Sequence, residues 1–312
     1  MNFRCSIVSA GEAVDFYSEE DLYLRLNQSR LLADHLDIAV NQKPTQSEYT
    51  LHYCNCGLDD AAVVYHEKSC YISYPWVKMN KGETLLYAAY PLIELQRQKK
   101  RWLTAYSAAV SLAGSGIFLL GKSGAGKTSV TIDLCRRYGA KLIGNDLTIL
   151  GQPDDDLLLK GGTKFFLLRL TSIRKSLPDL ASLFPKTDSE PWSNKIKVDP
   201  SELNIDIVTG QIPVKKIFSL HIDEEQPGLY FARDQKLATK LFLIENFSRY
   251  IRGSCINVLG GENFDQLGYI PSYDHSGLFV FRRALIDSIM EKIIYISGPL
   301  KLVSDYIANA SS

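Results

Sequence analysis

The sequence has no surplus of charge: Lys plus Arg and Asp plus Glu both number 35. A chain without a basic excess gives no bulk electrostatic reason to expect a nucleic-acid or membrane partner. Apolar runs of 18 residues are also missing, and Met1-Asn2-Phe3-Arg4-Cys5 opens without the long apolar segment of a signal peptide. These absences point to a cytoplasmic protein. Cysteine is sparse, with six residues (Cys5, Cys54, Cys56, Cys70, Cys135 and Cys255) scattered along the chain, and a reducing compartment would leave them as thiols. Cys54-Asn55-Cys56 lies near His52 and His66, but a single C-x-C without a second paired motif is weak ground for zinc, and small buried hydrophobes are the expected role. Internal repeats and low-complexity segments are lacking too. What remains is ordinary globular material of 312 residues, 46% hydrophobic and 22% charged, enough for one large domain or two.

The chain is organised around Leu119-Leu120-Gly121-Lys122-Ser123-Gly124-Ala125-Gly126-Lys127-Thr128-Ser129. This matches the phosphate-loop (Walker A) pattern G-x-x-x-x-G-K-[ST]. Glycines let the backbone curl so that successive N–H groups face one anion, and the helix that follows directs its positive dipole end to the same point. Gly121, Ser123, Gly124, Ala125, Gly126, Lys127, Thr128 and Ser129 are therefore the candidate nucleotide-binding residues. Lys127 would reach the β- and γ-phosphates, and the Thr128 hydroxyl would be a Mg²⁺ ligand. The context agrees: Gly116 to Leu120 reads as a short buried strand, Val130, Ile132, Leu134 and Cys135 suit a helix, and Gly139 is a stop signal. Beyond it, the strand Ala140 to Gly144 runs into Asn145-Asp146, and strand carboxyl ends are where such folds place ligands. Asp146 is the best candidate carboxylate, as a second metal ligand or a catalytic group alongside Lys127.

Residues 1–100 differ in texture. Phe3 to Val8, Glu48 to Tyr53, Ala61 to His66 and Ser69 to Tyr74 read as strands of a small, mostly antiparallel sheet, with a helix over Glu20 to His35. A further helix is expected over Glu83 to Lys100 despite Pro91, closing in Gln96-Arg97-Gln98-Lys99-Lys100-Arg101, a basic run expected to be a solvated helix end. Leu103 to Leu112 is the next strand candidate.

Tyr106-Ser107-Ala108-Ala109-Val110, the Gly114-Ser115-Gly116 turn, the loop Gly121 to Thr128 and Ile143-Gly144-Asn145-Asp146 together resemble the HPr kinase/phosphorylase superfamily. More narrowly they are similar to the HPr-kinase-related proteins that occur beside natural-product and modified-peptide gene sets. The resemblance covers roughly residues 100 to 150. It implies an α/β fold in which a P-loop kinase domain (101–312) follows a smaller N-terminal α+β domain (1–100) that binds a partner or substrate. It also implies ATP and Mg²⁺ as cofactors, a hydroxyl acceptor, typically serine, on a peptide or protein, and room for a homo-oligomer. Three departures stand out. Tyr106 occupies the position, fifteen residues before Gly121, where family members usually carry histidine. Asn145-Asp146 stands where two adjacent acids are frequent. The Glu-x-Arg-Gly signature of the bifunctional enzymes is absent, so phosphorolysis is not expected. A peptide or protein kinase, a nucleotide-binding accessory protein that has lost transfer, and a small-molecule kinase all stay open.

The remainder is less specific. Asp154-Asp155-Asp156 reads as a solvated turn, and Pro178 to Pro200 as a loop-rich excursion of the kind that covers active sites. Lys215 to Asp223 reads as a strand with His221 structural at its end. Leu237 to Arg252 reads as a helix whose Arg249 and Arg252 could clamp phosphate or simply complement the helix dipole. Leu278 to Arg283 and Lys292 to Ile296 read as late strands around a helix at Ala284 to Glu291, and Pro299 to Ala308 as a terminal helix.

Overall fold

The computed structural model describes residues 3–57, 61–78, 82–154, 156–183, 195–232, 236–252 and 276–311. Asp155, most of the proline-rich excursion (184–194) and Cys255 lie outside the described residues. Contacts divide the chain into two units, Met1–Thr104 with Phe242–Leu285, and Ala105–Leu241 with Ile286–Ser312.

In the first unit, strands β1 (Phe3–Ser9) and β2 (Glu12–Ser18) form a hairpin that the sequence reading caught only in its first arm. Its two-residue turn puts Ala10 (φ 48°) and Gly11 (φ 91°) in the left-handed region, the geometry that matches strand twist. The expected single helix over Glu20 to His35 is two short ones, α1 (Leu22–Asn27) and α2 (Arg30–His35), the first capped by the Asp21 side chain. Strands β3 (Ala39–Asn41), β4 (Thr50–Cys54), β5 (Ala62–His66) and β6 (Ser69–Ser73) complete a sheet of order β3-β1-β2-β4-β6-β5. Its pairings are mixed, β2–β4 and β4–β6 being parallel and the rest antiparallel. Alternation sorts the faces: Val14, Phe16, Leu51, Tyr53, Cys70 and Ile72 are buried, while Tyr17, His52 and Tyr71 stack as a row on the other side.

Helix α3 (Glu83–Lys99) packs against β2 and β6 and carries Pro91 in its interior. The basic run at its end is not the solvated face the charges suggest. Lys99, Lys100 and Arg101 are exposed, but Gln96, Arg97 and Gln98 are buried. Arg97 donates to the Tyr90 hydroxyl at 2.8 Å, to Thr104 Oγ1 at 2.6 Å and to the Ser9 carbonyl at 3.2 Å. Glu94 accepts from the Thr104 backbone N–H and from Gln98 Nε2, and Arg282 donates to Gln98 Oε1 at 2.6 Å. Burial alone would make each group costly, and mutual pairing is what keeps them inside.

In the second unit, the expected strand over Leu103 to Leu112 breaks at Tyr106-Ser107 into β7 (Trp102–Ala105) and β8 (Ala108–Leu112). Then follow β9 (Ser115–Leu120), α4 (Lys127–Tyr138), β10 (Lys141–Gly144), β11 (Thr148–Gly151) and β12 (Leu158–Gly162). Beyond these, β13 (Phe166–Arg169), α5 (Leu170–Ser176) and β14 (Lys195–Val198) form a separate two-stranded ribbon with its helix. The last elements are β15 (Ile212–Ile222), β16 (Tyr230–Phe231), α6 (Lys236–Ser248), α7 (Ser276–Lys292), β17 (Ile293–Gly298) and α8 (Leu300–Ser311).

Strand β9 lies between β8, antiparallel, and β15, parallel, and β15 continues parallel to β17. Five of its residues, Gly116 to Leu120, are buried. Helix α4 packs on β8 and α8 through a core that includes Val130, Leu134, Leu119, Phe218, Val303 and Ile307. The architecture is therefore α/β, with a buried strand that empties into a loop and a helix. One late assignment is corrected: Leu278 to Arg283 is helical, the first half of α7, and not a strand. Its buried residues Leu278, Arg282, Leu285 and Ile289 recur at helical spacing.

Candidate functional site

At the end of β9 the chain must turn sharply and enter α4, and two glycines make this possible by close approach. A Cβ at Gly121 would stand 2.8 Å from the Ala125 Cβ and 3.0 Å from the Leu220 carbonyl oxygen. Gly126, the N-cap of α4 at φ 89°, would meet Ile222 at 2.2 Å. The loop is fastened by Ala125 N–H to the Lys122 carbonyl (3.1 Å) and by Ile222 N–H to the Ala125 carbonyl (3.0 Å). The second bond ties it to β15. The opening turn of α4 thus faces the loop with backbone N–H groups that have no acceptor within the helix.

Lys127 is 5% exposed. Its Nζ donates to the Gly121 and Lys122 carbonyls at 2.8 and 3.1 Å and sits 4.1 Å from the centroid of the Tyr106 ring. Burial pulls its pKa down from 10.5 to about 8, against the opposing attraction of Asp146. The neighbouring Thr128 hydroxyl donates to Asn145 Oδ1 at 3.0 Å, and Asn145 is wholly buried with its N–H bonded to the Thr163 carbonyl. Asp146 is half-buried and adopts φ 64°, a conformation that Asp tolerates better than most residues. Its carbonyl accepts the Ser107 N–H at 3.2 Å.

These groups open on one cleft of about 410 Å³. Of the residues singled out in the sequence, Ser123, Gly124, Ala125, Gly126, Lys127, Thr128, Ser129 and Asp146 line it, as does Tyr106. Gly121 lies behind the wall and contributes its carbonyl to Lys127. His221, Asp154, Asp156, Arg249 and Arg252 do not line it. The sequence reading missed Arg169, Lys175, Lys195, Ile222 and Glu224, which do. Only alternation in Lys195-Ile196-Lys197-Val198 offered a local signal, that of a strand with one basic face.

The donor set suits an oxyanion and a hard cation: a buried ammonium, a helix N-terminus, a hydroxyl, a carboxylate and an amide oxygen. Among the described residues no group of three or more His, Cys, Asp and Glu is placed to hold a metal, and no helix is long and apolar enough to cross a membrane.

No family model matches the chain. Over 59 residues it is 34% identical to the HPr kinase/phosphorylase of Chloroherpeton thalassium, a stretch that makes up 19% of this chain and 17% of that protein. The chain thus spans less than a fifth of the length of this curated relative. Among solved structures, the HPr(Ser) kinase/phosphatase from Coxiella burnetii aligns with 41% of this chain and 70% of its own, at 17% identity and a TM-score of 0.27. The chain is therefore similar in part to HPr kinase/phosphorylase.

Proposed function

We propose that this chain binds ATP with Mg²⁺ and transfers the γ-phosphoryl group to a hydroxyl, serine in the first instance, of a peptide or protein such as a modified-peptide precursor. The observation that carries this reading is the buried Lys127, held by the carbonyls of its own loop at the mouth of a cleft that also presents Thr128 and Asp146. When bound, ATP supplies the phosphoryl group and Mg²⁺ neutralises charge on the phosphate oxygens. Lys127 adds a positive charge in a site where burial strengthens electrostatics. Thr128 offers a hydroxyl to the metal, and Asp146 a carboxylate either to the metal or to the acceptor proton. One carboxylate suits both roles poorly, because a neighbouring cation lowers its basicity. Mg²⁺ is held elsewhere by one or two protein oxygens plus the phosphates of its substrate, which fits so small a protein donor set.

A second reading, a nucleotide-binding accessory protein without transfer, is favoured by two contacts. Thr128 bonds to the amide Asn145 where a second acid would sit, and Tyr106 covers the ammonium of Lys127. Calorimetric titration of Mg-ATP into the wild type and Lys127→Ala, followed by mass spectrometry of candidate acceptor peptides, separates the readings. Binding that disappears in the variant together with an 80-Da shift on a peptide, the mass of one transferred phosphoryl group, supports the kinase. Binding without transfer supports the accessory protein, and no binding by the wild type removes both.

A further inference from the structure

The ribbon β13–β14 is amphipathic in a way the nucleotide does not explain. Phe166, Leu168 and Val198 are buried in the main core, with Ile196 packed against it. The alternate positions Leu167, Arg169, Lys195 and Lys197 must then fall on the opposite face. Arg169 and Lys195 are cross-strand partners in the register, and Leu167 pairs with Lys197 in the same way. Directly opposed like charges weaken a sheet, and here the strands place two cations across from each other and a third one step along, with no carboxylate among these ribbon residues. Arg169, Lys195 and Leu167 line the phosphate-loop cleft. Lys197 lies 4.6 Å over the Phe165 ring, a contact that leaves its charge uncompensated by any acid. Lys175, also at the cleft, differs in having Glu225 at 3.5 Å.

We propose that this basic ribbon face is an acceptor-side anion site: it binds carboxylate or phosphate groups that flank the acceptor hydroxyl, apart from the phosphates handled by the loop. The inference rests on the kinase reading for the word acceptor, but the anion site itself is testable without transfer. The ligand class is an acidic peptide. The ribbon supplies long-range attraction and register, while Leu167, the apolar residue of the same face, offers surface to the chain between the charges.

The test uses the full chain and two fluorescein-labelled peptides of one sequence, each with a central serine, one flanked by glutamates and the other by glutamines. Anisotropy titrations with and without Mg-ADP should give about tenfold tighter binding of the glutamate peptide, a preference that shrinks in 0.5 M NaCl, as expected for two or three partly exposed charge contacts (all order-of-magnitude figures). The double variant K195Q/K197Q changes two exposed residues and should lose that preference while binding Mg-ATP as the wild type does. Equal binding of the two peptides by the wild type overturns the proposal, and so does a preference that survives in the double variant. If the variant loses Mg-ATP affinity by a similar factor, the ribbon serves the nucleotide and the acceptor assignment fails. A wild type that prefers the acidic peptide but binds no Mg-ATP would keep the anion site and remove the kinase reading.

Discussion

At the residue scale, Lys127 is the group whose behaviour is most constrained. Its pKa is lowered to about 8 in the folded chain from 10.5, so between those values the unfolded chain binds more protons than the native one. Stability from this residue is therefore fully present above pH 10.5 and is lost as pH falls through about 8. A phosphate brought beside the ammonium reverses the shift, because an anion favours the charged form. Nucleotide binding should then take up a proton at pH 8.5 and weaken as pH rises further. Calorimetry at that pH in two buffers of different ionisation enthalpy checks this: the observed heats should differ in proportion to those enthalpies in the wild type. Buffer-independent heats would contradict it. Lys127, Thr128 and their glycines were legible in the sequence because a phosphate held by a contiguous loop demands fixed spacing. Arg169 and Lys195 were not, since they meet only through strand register. Nor was the pairing of Thr128 with Asn145, which depends on β10 ending beside the first turn of α4.

At the scale of elements, α3 shows how a charge run can mislead. Its period and length were readable, but the burial of Arg97 was not, because its partners Ser9, Tyr90 and Thr104 come from three elements. Arg97→Ala would leave Glu94 buried, with its pKa already raised by desolvation, and without its cation. The expected loss is about 3–5 kcal/mol, read as a lower urea midpoint with unchanged slope. A loss under about 1 kcal/mol, the scale of a surface pair, would show that the network is incidental. Helix α7 failed in the other direction. Leu278-Phe279-Val280-Phe281 is rich in strand formers, and a short apolar run cannot be assigned by periodicity alone. Packing of Leu278, Arg282, Leu285 and Ile289 on one side overrides that preference.

At the scale of the whole molecule, a composition change near residue 100 is visible in the sequence, but the return of 242–285 to the first unit is not, since no local signal records which sheet a distant helix joins. Within that unit Tyr250 packs edge-on against Tyr90, and Arg282 bonds to Gln98. A fragment of residues 1–104 would keep its sheet but lose these partners. It should melt without a cooperative transition by circular dichroism, whereas the full chain melts cooperatively. A sharp transition in the fragment would show that the returning segment is dispensable.

The separation of 184 residues between Gln98 and Arg282 has a consequence on the ribosome. At ordinary translation rates this distance corresponds to on the order of ten to forty seconds. During that interval the first unit has been synthesised but lacks the helix that satisfies its interior amide, while the phosphate-loop strands emerge and pair. The nascent chain thus carries an unfinished polar interior past the completion of its neighbour, and its vulnerability to holdases and proteases is greatest in that window.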